Sequence, residues 1–286
     1  MNYEWYPGHM TAAIRSMRED LKLIDLVIEL ADARIPAASR NPDIDELCRG
    51  KARLLIYGKA DLADPAMLAE WIRYQRAGGI TAISADVRSA GALKTIRAAI
   101  DEASAPLRIR NEKRGLKNQA VRALVAGIPN VGKSTLINLL AGRKAAKTGN
   151  KPGVTRGRQW IATGKGLQLL DSPGILWPRI GDPETGELLA VIGSMNDENL
   201  DPEALARAIL ARLDRIAPEA VMTRFSLPEE ARAVPPEEKL SLIAEKRGFL
   251  GEGGRLLTSR AAEVLIDEFR KGRLGGFVLE PVPDNT

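Results

Sequence analysis

Residues 127–134 read GIPNVGKS and fit the phosphate-binding pattern GxxxxGK[ST] at every position. An apolar stretch at 121–126 precedes them and predicts a strand, and an amphipathic helix is predicted over 133–141. Glycines let backbone N–H groups surround phosphates, and the helix N-terminus adds partial positive charge. A chance glycine-rich turn would lack this strand–loop–helix context. The segment therefore predicts a nucleoside triphosphate site.

The residues of this loop have separate predicted roles. We expect Lys133 to reach the β- and γ-phosphates and to serve the chemistry there, and the Ser134 hydroxyl to ligate Mg²⁺. The loop residues predicted to bind the nucleotide are Asn130, Val131, Gly132, Lys133, Ser134 and Thr135.

Two short motifs follow the loop at distances suited to switch segments. Asp171 begins DSPG at the end of a strand predicted over 167–170, where it can hold Mg²⁺ through water. In the same motif, the amide of Gly174 can bind the γ-phosphate. Between loop and motif lies PGVT, whose Thr155 is a candidate Mg²⁺ ligand and catalytic residue. Alone each motif is weak, but together they predict segments ordered by the γ-phosphate and released on hydrolysis.

The base-reading residues precede the phosphate loop. Lys59 and Asp61 form KAD just after a strand predicted over 53–57, and Asp61 can accept hydrogen bonds from the guanine ring N–H and amine. A site built for such donors can reject adenine by about 10⁴. Ser84 and Ala85 end the next predicted strand and predict a companion loop at the same edge of the sheet. Gly58 stands where the NKxD pattern has asparagine, so we expect looser nucleotide binding.

Charge is concentrated in the middle of the chain. Residues 106–158 hold thirteen Lys or Arg and one acidic residue, in a chain of 286 residues with a net charge of +5. This asymmetry points to a polyanion, either nucleotide phosphates or RNA, with a solvated face as the plain alternative. Apolar residues make up 44% of the chain, which excludes a disordered protein.

Strands alternating with helices predict a mostly parallel sheet covered on both faces, in an α/β domain over residues 1–178. A smaller all-helical domain is predicted over 179–286, and a basic linker over 102–119. The predicted strands span 23–30, 53–57, 80–84, 121–126, 159–162 and 167–170. The predicted helices span 65–76, 91–103, 133–141, 236–247 and 259–271, with one more beginning at Asp201-Pro202.

Because the base-reading motifs come before the phosphate loop, the order is that of a circularly permuted P-loop GTPase domain. The chain resembles the ribosome-biogenesis GTPase A (YlqF-type) family over nearly its whole length. The resemblance rests on this order and on WYPGHM at 5–10, DARIP at 32–36, SRNP at 39–42 and FRKGRLG at 269–275. It implies a GTPase that binds GTP and GDP with Mg²⁺ and acts late in large ribosomal subunit assembly, contacting ribosomal RNA.

Water activation is the open point of this interpretation. Ile175 stands where many GTPases carry the glutamine that orients the attacking water. His9, the single histidine, either faces the γ-phosphate or packs among neighbouring aromatic side chains; the family resemblance favours the catalytic role. Asn130 occupies the position at which potassium-stimulated GTPases hold K⁺, with a turn-favouring asparagine as the alternative.

Two other functions stay open at this stage. One is a P-loop enzyme that phosphorylates a small molecule, and the other is a GTP-gated protein-binding module. The sequence holds no apolar run of membrane-spanning length, and its one cysteine, Cys48, excludes an internal disulfide. We therefore expect a cytoplasmic monomer that partners the large ribosomal subunit and no membrane. In the helical domain, Arg255, Arg260, Arg270, Lys271 and Arg273 are candidate phosphate contacts, with a solvated amphipathic helix as the alternative.

Overall fold

The computed structural model describes residues 21–42, 44–116, 119–142, 159–164, 166–171, 182–195 and 200–283. The side chains of Leu47, Gln159 and Asp171 are outside this description. The predicted site residues His9, Thr155 and Gly174 lie outside the described residues, as does the predicted domain boundary at residue 178. The two-domain division therefore stays a prediction.

One six-stranded sheet organises the first part of the chain, in the order β3-β2-β1-β4-β6-β5. All neighbouring strands are parallel except β5 and β6, which are antiparallel. The strands are β1 (Leu26–Asp32), β2 (Ala52–Gly58), β3 (Thr81–Ala85), β4 (Val121–Gly127), β5 (Gln159–Ala162) and β6 (Leu167–Asp171).

Helices cover both faces of the sheet, and the regular elements described after residue 171 are all helical. Among the described residues, the first four helices are α1 (Ile44–Leu47), α2 (Pro65–Ala77), α3 (Ala92–Lys113) and α4 (Lys133–Ala141). The next five are α5 (Pro183–Val191), α6 (Pro202–Ile216), α7 (Pro218–Phe225), α8 (Pro236–Lys246) and α9 (Thr258–Arg270). The predicted fold class, a mostly parallel α/β sheet followed by helices, is confirmed.

The alternation of side chains along each strand decides which helix it meets. Leu54 and Ile56 of β2 share a core cluster with Ile96 of α3, whereas Leu55 of the same strand packs with Trp71 of α2 on the opposite face. Among the described residues, the first cluster continues from the sheet into the helical part, through the apolar residues of α5, α6 and α9. The sheet and the helices that follow it are therefore joined by apolar packing.

Some predicted boundaries are wrong. The first strand begins at Leu26, not at residue 23. The predicted linker over 102–119 is helical as far as Lys113, because the apolar face of α3 continues through Ala103 and Leu107, both buried. Helix α5 was not predicted from the sequence, although Asp182 caps it by accepting hydrogen bonds from the amides of Glu184 and Thr185. The predicted start of α6 is confirmed, with the Asp201 side chain accepting from the Glu203 amide.

Candidate nucleotide-binding site

The phosphate-binding loop lies between β4 and α4, and its backbone geometry requires glycine. Gly127 has φ of 152°, and a Cβ placed there would lie 2.4 Å from the carbonyl oxygen of Leu30 on β1. Gly132 (φ 109°) and Asn130 (φ 59°) also have positive φ. These conformations turn the chain sharply from the strand into the helix N-terminus, where unpaired amides and the helix dipole can meet an anion.

Lys133 folds back over this loop. Its ammonium donates to the carbonyl oxygens of Gly127 at 3.0 Å and of Ile128 at 2.8 Å, and the residue is 8% exposed. Ser134 and Thr135 follow in the first turn of α4 and are half-buried. The predicted phosphate-binding residues therefore surround one small region above the end of β4.

Asn130 has a hydrogen-bond partner that is not predictable from its sequence context. Its side-chain amide donates to the carbonyl oxygen of Gly193, which follows α5, at 3.2 Å. The phosphate loop is thereby tied to the first helix beyond the sheet, a contact that spans 63 residues of sequence.

The base-reading motifs reach the same edge of the sheet. Gly58, the last residue of β2, is in register with Asp32 on one side and Ala85 on the other. Leu30, two residues before Asp32, pairs with Gly127. Because the strands are parallel, the end of β2, the end of β3 and the phosphate loop share the carboxyl edge, which is the usual ligand edge of such sheets.

Lys59 and Asp61 have different surroundings. Lys59 has left-handed backbone (φ 54°, ψ 37°), and its ammonium lies 3.0 Å from a carboxylate oxygen of Asp32. The Asp61 side chain is 35% exposed and pairs with Arg88 at 2.8 Å. The Asp61 carboxylate is therefore accessible at the carboxyl edge of the sheet. Lys59 is instead paired with the buried Asp32, which anchors the loop that carries both residues.

Asp32 is the buried anion of this region. Its carboxylate receives two hydrogen bonds from Arg34, at 2.9 and 2.8 Å, in addition to the contact with Lys59. Burial raises the pKa of Asp32, but the charges of Arg34 and Lys59 outweigh it and hold that pKa well below its usual range. Asp32 and Arg34 belong to the DARIP segment, which supported the family resemblance but had no predicted role.

Gly58 lies directly against the phosphate loop. A Cβ built on it would be 3.6 Å from the carbonyl oxygen of Val131 and 3.2 Å from Cδ1 of Leu30. A longer side chain at this position would therefore begin beside the loop. Gly58, which stands where the NKxD pattern has asparagine, thus lies at the junction of the base-reading and phosphate-binding segments.

Asp171 is the last residue of β6 and pairs in register with Val125 of β4. The predicted Mg²⁺-binding residue therefore ends a strand adjacent to the one that carries the phosphate loop. Among the described residues, no group of three or more His, Cys, Asp or Glu side chains forms a protein-only metal site. No helix among them is both long and apolar enough to cross a membrane.

Three of the five cations expected to touch phosphates in the helical part have other partners. Arg270 donates to backbone carbonyl oxygens of α5, at 3.0 and 2.6 Å. Lys271 pairs with Asp267, and Arg273 with Glu268. Arg255 and Arg260 remain exposed.

Comparison with known proteins places this geometry among GTPases. Residues 122–223 match the family profile described as "MMR_HSR1: 50S ribosome-binding GTPase". A protein of Bacillus cereus named ribosome biogenesis GTPase A is 42% identical over 98% of this chain and 94% of its own length. The protein of that name from Priestia megaterium is 41% identical over 98% of this chain and 97% of its own length.

Solved structures agree in fold. A structure titled as GDP-bound YlqF superposes with a TM-score of 0.68 at 24% identity, covering 94% of this chain and all of that chain. GNP-bound YlqF from T. maritima gives 0.63 at 25% identity, covering 95% and 100%.

Proposed function

The chain belongs to the ribosome biogenesis GTPase A family, and on that premise we propose that it is a GTP-dependent switch acting late in assembly of the large ribosomal subunit, where it binds ribosomal RNA. Guanine-nucleotide binding and GTP hydrolysis follow from the family. The observation that carries the proposal is that β2, β3 and β4 bring both halves of the permuted site to one edge, which is also tied to the helical part through Asn130 and Gly193.

We assign the nucleotide contacts as follows. The base is read by Asp61, with the loop at Ser84 and Ala85 beside it and Lys59 supporting the turn. The phosphates lie over residues 130–135, where Lys133 supplies positive charge. Oxygen donors suit Mg²⁺, and Ser134 with Asp171 on the adjacent strand fits that preference, with Thr155 as the further ligand. A metal held there would supply positive charge to offset that of the phosphates.

Hydrolysis requires a group to orient water, since Ile175 cannot do so. We propose His9 for that role, assisted by the γ-phosphate segments at Thr155 and Gly174. K⁺ held by Asn130 would add positive charge near the phosphates. Replacing His9 with alanine should slow hydrolysis far more than it weakens GTP binding, and equal rates in NaCl and KCl would remove K⁺ from the proposal.

The RNA contact is proposed for a basic surface formed by Lys246, Arg247, Arg255 and Arg260, between the end of α8 and the start of α9. All four are exposed, and among the described residues none of them pairs with a carboxylate, in contrast to most other cations of the helical part. The Arg247 guanidinium lies 5.1 Å from the ring centre of Phe225, and that of Arg260 lies 4.7 Å from that of Phe249.

A guanidinium that lies over a ring is held in place while its N–H donors stay available for phosphate oxygens. Two acidic residues, Glu245 and Glu252, lie in the same stretch, so the surface is positive but not uniformly so. This mixed character fits discrete phosphate contacts along an RNA backbone. The variant Arg247→Gln/Arg260→Gln should lower the slope of log affinity for ribosomal RNA against log salt by about 0.7–0.9 for each lost contact. Lys271→Gln, which removes an ion-paired cation, is the matched control and should leave the slope unchanged.

The central experiment is co-sedimentation with purified large and small ribosomal subunits, with released phosphate measured in the same samples. We expect pelleting with large subunits in the presence of a nonhydrolysable GTP analogue and loss of it with GDP. Lys133→Ala should abolish the nucleotide dependence, while Lys94→Ala on the exposed face of α3 should not. Nucleotide-independent pelleting, or none, would contradict the switch, and a phosphorylated small-molecule product would favour a kinase.

A further inference from the structure

The C-terminal end of α5 presents a group of backbone acceptors, the carbonyl oxygens of residues 190–193, which we call the carbonyl cluster. The last carbonyls of a helix have no partner within the helix. Here the chain turns at Gly193 (φ 77°), and the Ser194 amide bonds back to Leu189. The turn leaves the carbonyl cluster facing the sheet domain on one side and α9 on the other.

Side chains from three distant segments donate to this cluster. Arg270 of α9 donates to Val191 at 3.0 Å and to Ala190 at 2.6 Å. Arg34, after β1, donates to Ile192 at 3.5 Å. The phosphate-loop residue, Asn130, donates to Gly193.

Both halves of the proposed nucleotide site therefore reach the same few carbonyls. The phosphate half does so directly through Asn130. The base half does so through a chain of charges in which Lys59, Asp32 and Arg34 are linked at 3.0 and 2.8 Å. Asp32 and Arg34 are almost fully buried, so water does not screen these contacts as it would on the surface.

The fit between Arg270 and the turn is close. A Cβ on Gly193 would lie 3.2 Å from the Arg270 guanidinium, so a side chain there would crowd the guanidinium in addition to adopting the positive φ. The planar guanidinium reaches two successive carbonyls at once, which a lysine ammonium cannot do with the same geometry. The contact is therefore specific to arginine opposite glycine.

We propose that Arg270 is a positioning residue for the nucleotide site. By fixing the carbonyl cluster, it holds the Gly193 oxygen where Asn130 needs it and so holds the phosphate loop in its binding shape. The role rests on the proposed nucleotide site. It explains why the DARIP and FRKGRLG segments carry Arg34 and Arg270, which are 236 residues apart. Coupling of this kind is reciprocal, so nucleotide binding must in turn stabilise the end of α5.

The test compares dissociation constants for fluorescent GDP and a nonhydrolysable GTP analogue in the full chain. Arg270→Gln should weaken both by about 5- to 100-fold, the usual range of such coupling. Arg270→Lys should recover only part of the loss. The neighbouring variant Lys271→Gln removes a cation of the same helix end and should stay within twofold of wild type.

A double-mutant cycle separates positioning from general destabilisation. If Arg270 acts through Asn130, the variant Asn130→Ala/Arg270→Gln should bind no more weakly than the weaker single variant. If the affinity losses of the two single variants multiply in the double variant, the proposal is overturned. A folded Arg270→Gln variant with unchanged nucleotide affinity would also overturn it.

A measurement on the wild-type chain covers the case in which the variants fail to fold. Amide hydrogen exchange at residues 189–195 should slow when GDP binds, and unchanged exchange there would overturn the proposal. Failure of the wild-type chain to bind GDP or GTP would instead overturn the proposed function, so the two failures are distinguishable.

Discussion

At the phosphate end of the proposed nucleotide site the backbone does the positioning, whereas at the base end side chains do. The phosphate loop depends on glycine conformations, on close contact with β1 and on a nearly buried Lys133. The base end places Asp61 at the surface in an ion pair with Arg88, whose side chain is 66% exposed. We infer that affinity resides mainly at the first end and base selectivity at the second.

The base end also makes hydrogen bonds with the C-terminal tail. The Phe277 amide donates to the Leu62 carbonyl at 3.0 Å, one residue beyond Asp61. Further along, the carboxylate of Glu280 accepts hydrogen bonds from the amides of Ala37 and Ala38. The base end thus has tail contacts more than 200 residues away in sequence, whereas the turn of the phosphate loop and the Lys133 hydrogen bonds are local.

The largest expected effect is at the phosphate end. Gly127→Ala places a Cβ against the Leu30 carbonyl and should abolish nucleotide binding while lowering the free energy of unfolding by about 3–5 kcal/mol. Gly142→Ala is the control, because Gly142 also has positive φ (66°) but nothing within 4 Å. It should cost only about 1–2 kcal/mol, the backbone strain alone. Denaturant titration and GDP binding measure both, and equal losses would refute the role of the close contact.

The next effect is on base choice. Asp61→Asn replaces two acceptor oxygens by one acceptor and one donor, so it should lower GTP affinity about 100-fold and favour xanthosine triphosphate, whose ring carries an oxygen in place of the amine. Competition binding measures the ratio. Asp101→Asn, which removes a surface carboxylate of α3, should leave the ratio of GTP affinity to xanthosine triphosphate affinity unchanged. Retained preference for GTP in the Asp61 variant would place base recognition elsewhere.

A smaller effect is expected when a side chain is added at Gly58, between the base end and the phosphate end. Gly58→Asn adds an amide on a Cβ that would lie 3.6 Å from the Val131 carbonyl oxygen. We expect about tenfold slower GDP release if Leu30 shifts aside. Gly58→Ala adds the Cβ without the amide and is the matched control. Faster release in both variants would show that the junction has no room for a side chain.

Arg88→Ala should change GTP affinity by about two- to fivefold, since exposed ion pairs contribute little. We expect tighter binding, because Asp61 is then free to face the base, and a smaller dependence on salt. Arg73→Ala, which breaks an exposed pair with Glu70 on α2, serves as the control. Weaker binding would mean that Arg88 orients Asp61 rather than competing for it.

The smallest effect concerns pH. Burial raises the pKa of Glu280 from 4.5 to about 7, although the amides of Ala37 and Ala38 act against it. Between these values the folded chain holds a proton that the unfolded chain has released, so stability falls as pH rises through this window. We expect the melting temperature to drop by about 2–4 °C more in wild type than in Glu280→Gln between pH 4.5 and 7. Parallel profiles in the two proteins would contradict a buried carboxyl, and Glu70→Gln should behave like wild type.

Much of the fold was predictable because the starts of its helices and strands depend on residues close in sequence. Five of the six predicted strands begin within about two residues of their observed starts. The same holds for the helices predicted to begin at 65, 91, 133, 202, 236 and 259. Apolar periodicity and caps such as Asp201 act over short distances, so these starts can be predicted. Helix α5 was not predicted because its polar residues lie in its first half and its apolar residues follow one another at 188–191, so the sequence shows no helical spacing. That Asp61 and the phosphate loop both follow the carboxyl ends of parallel strands was predictable from strand polarity.

The side-chain partners were not predictable in the same way. Arg270 was expected to meet phosphates from its charge, yet it binds the carbonyl cluster 80 residues away in sequence. Asn130 was expected at the nucleotide, and its link to Gly193 had no local signal. Charge in a sequence states what a residue can bind but not which acceptor folding brings to it.

Local sequence is enough to specify the strand–loop–helix that shapes the phosphate loop, because glycine freedom and helix initiation depend on neighbouring residues. Long-range packing, in contrast, brings Asp32, Arg34, Asn130 and Arg270 into one connected set around the end of α5. Their contacts join segments from 63 to 158 residues apart, and such distances close only when the apolar faces of sheet and helices have packed together.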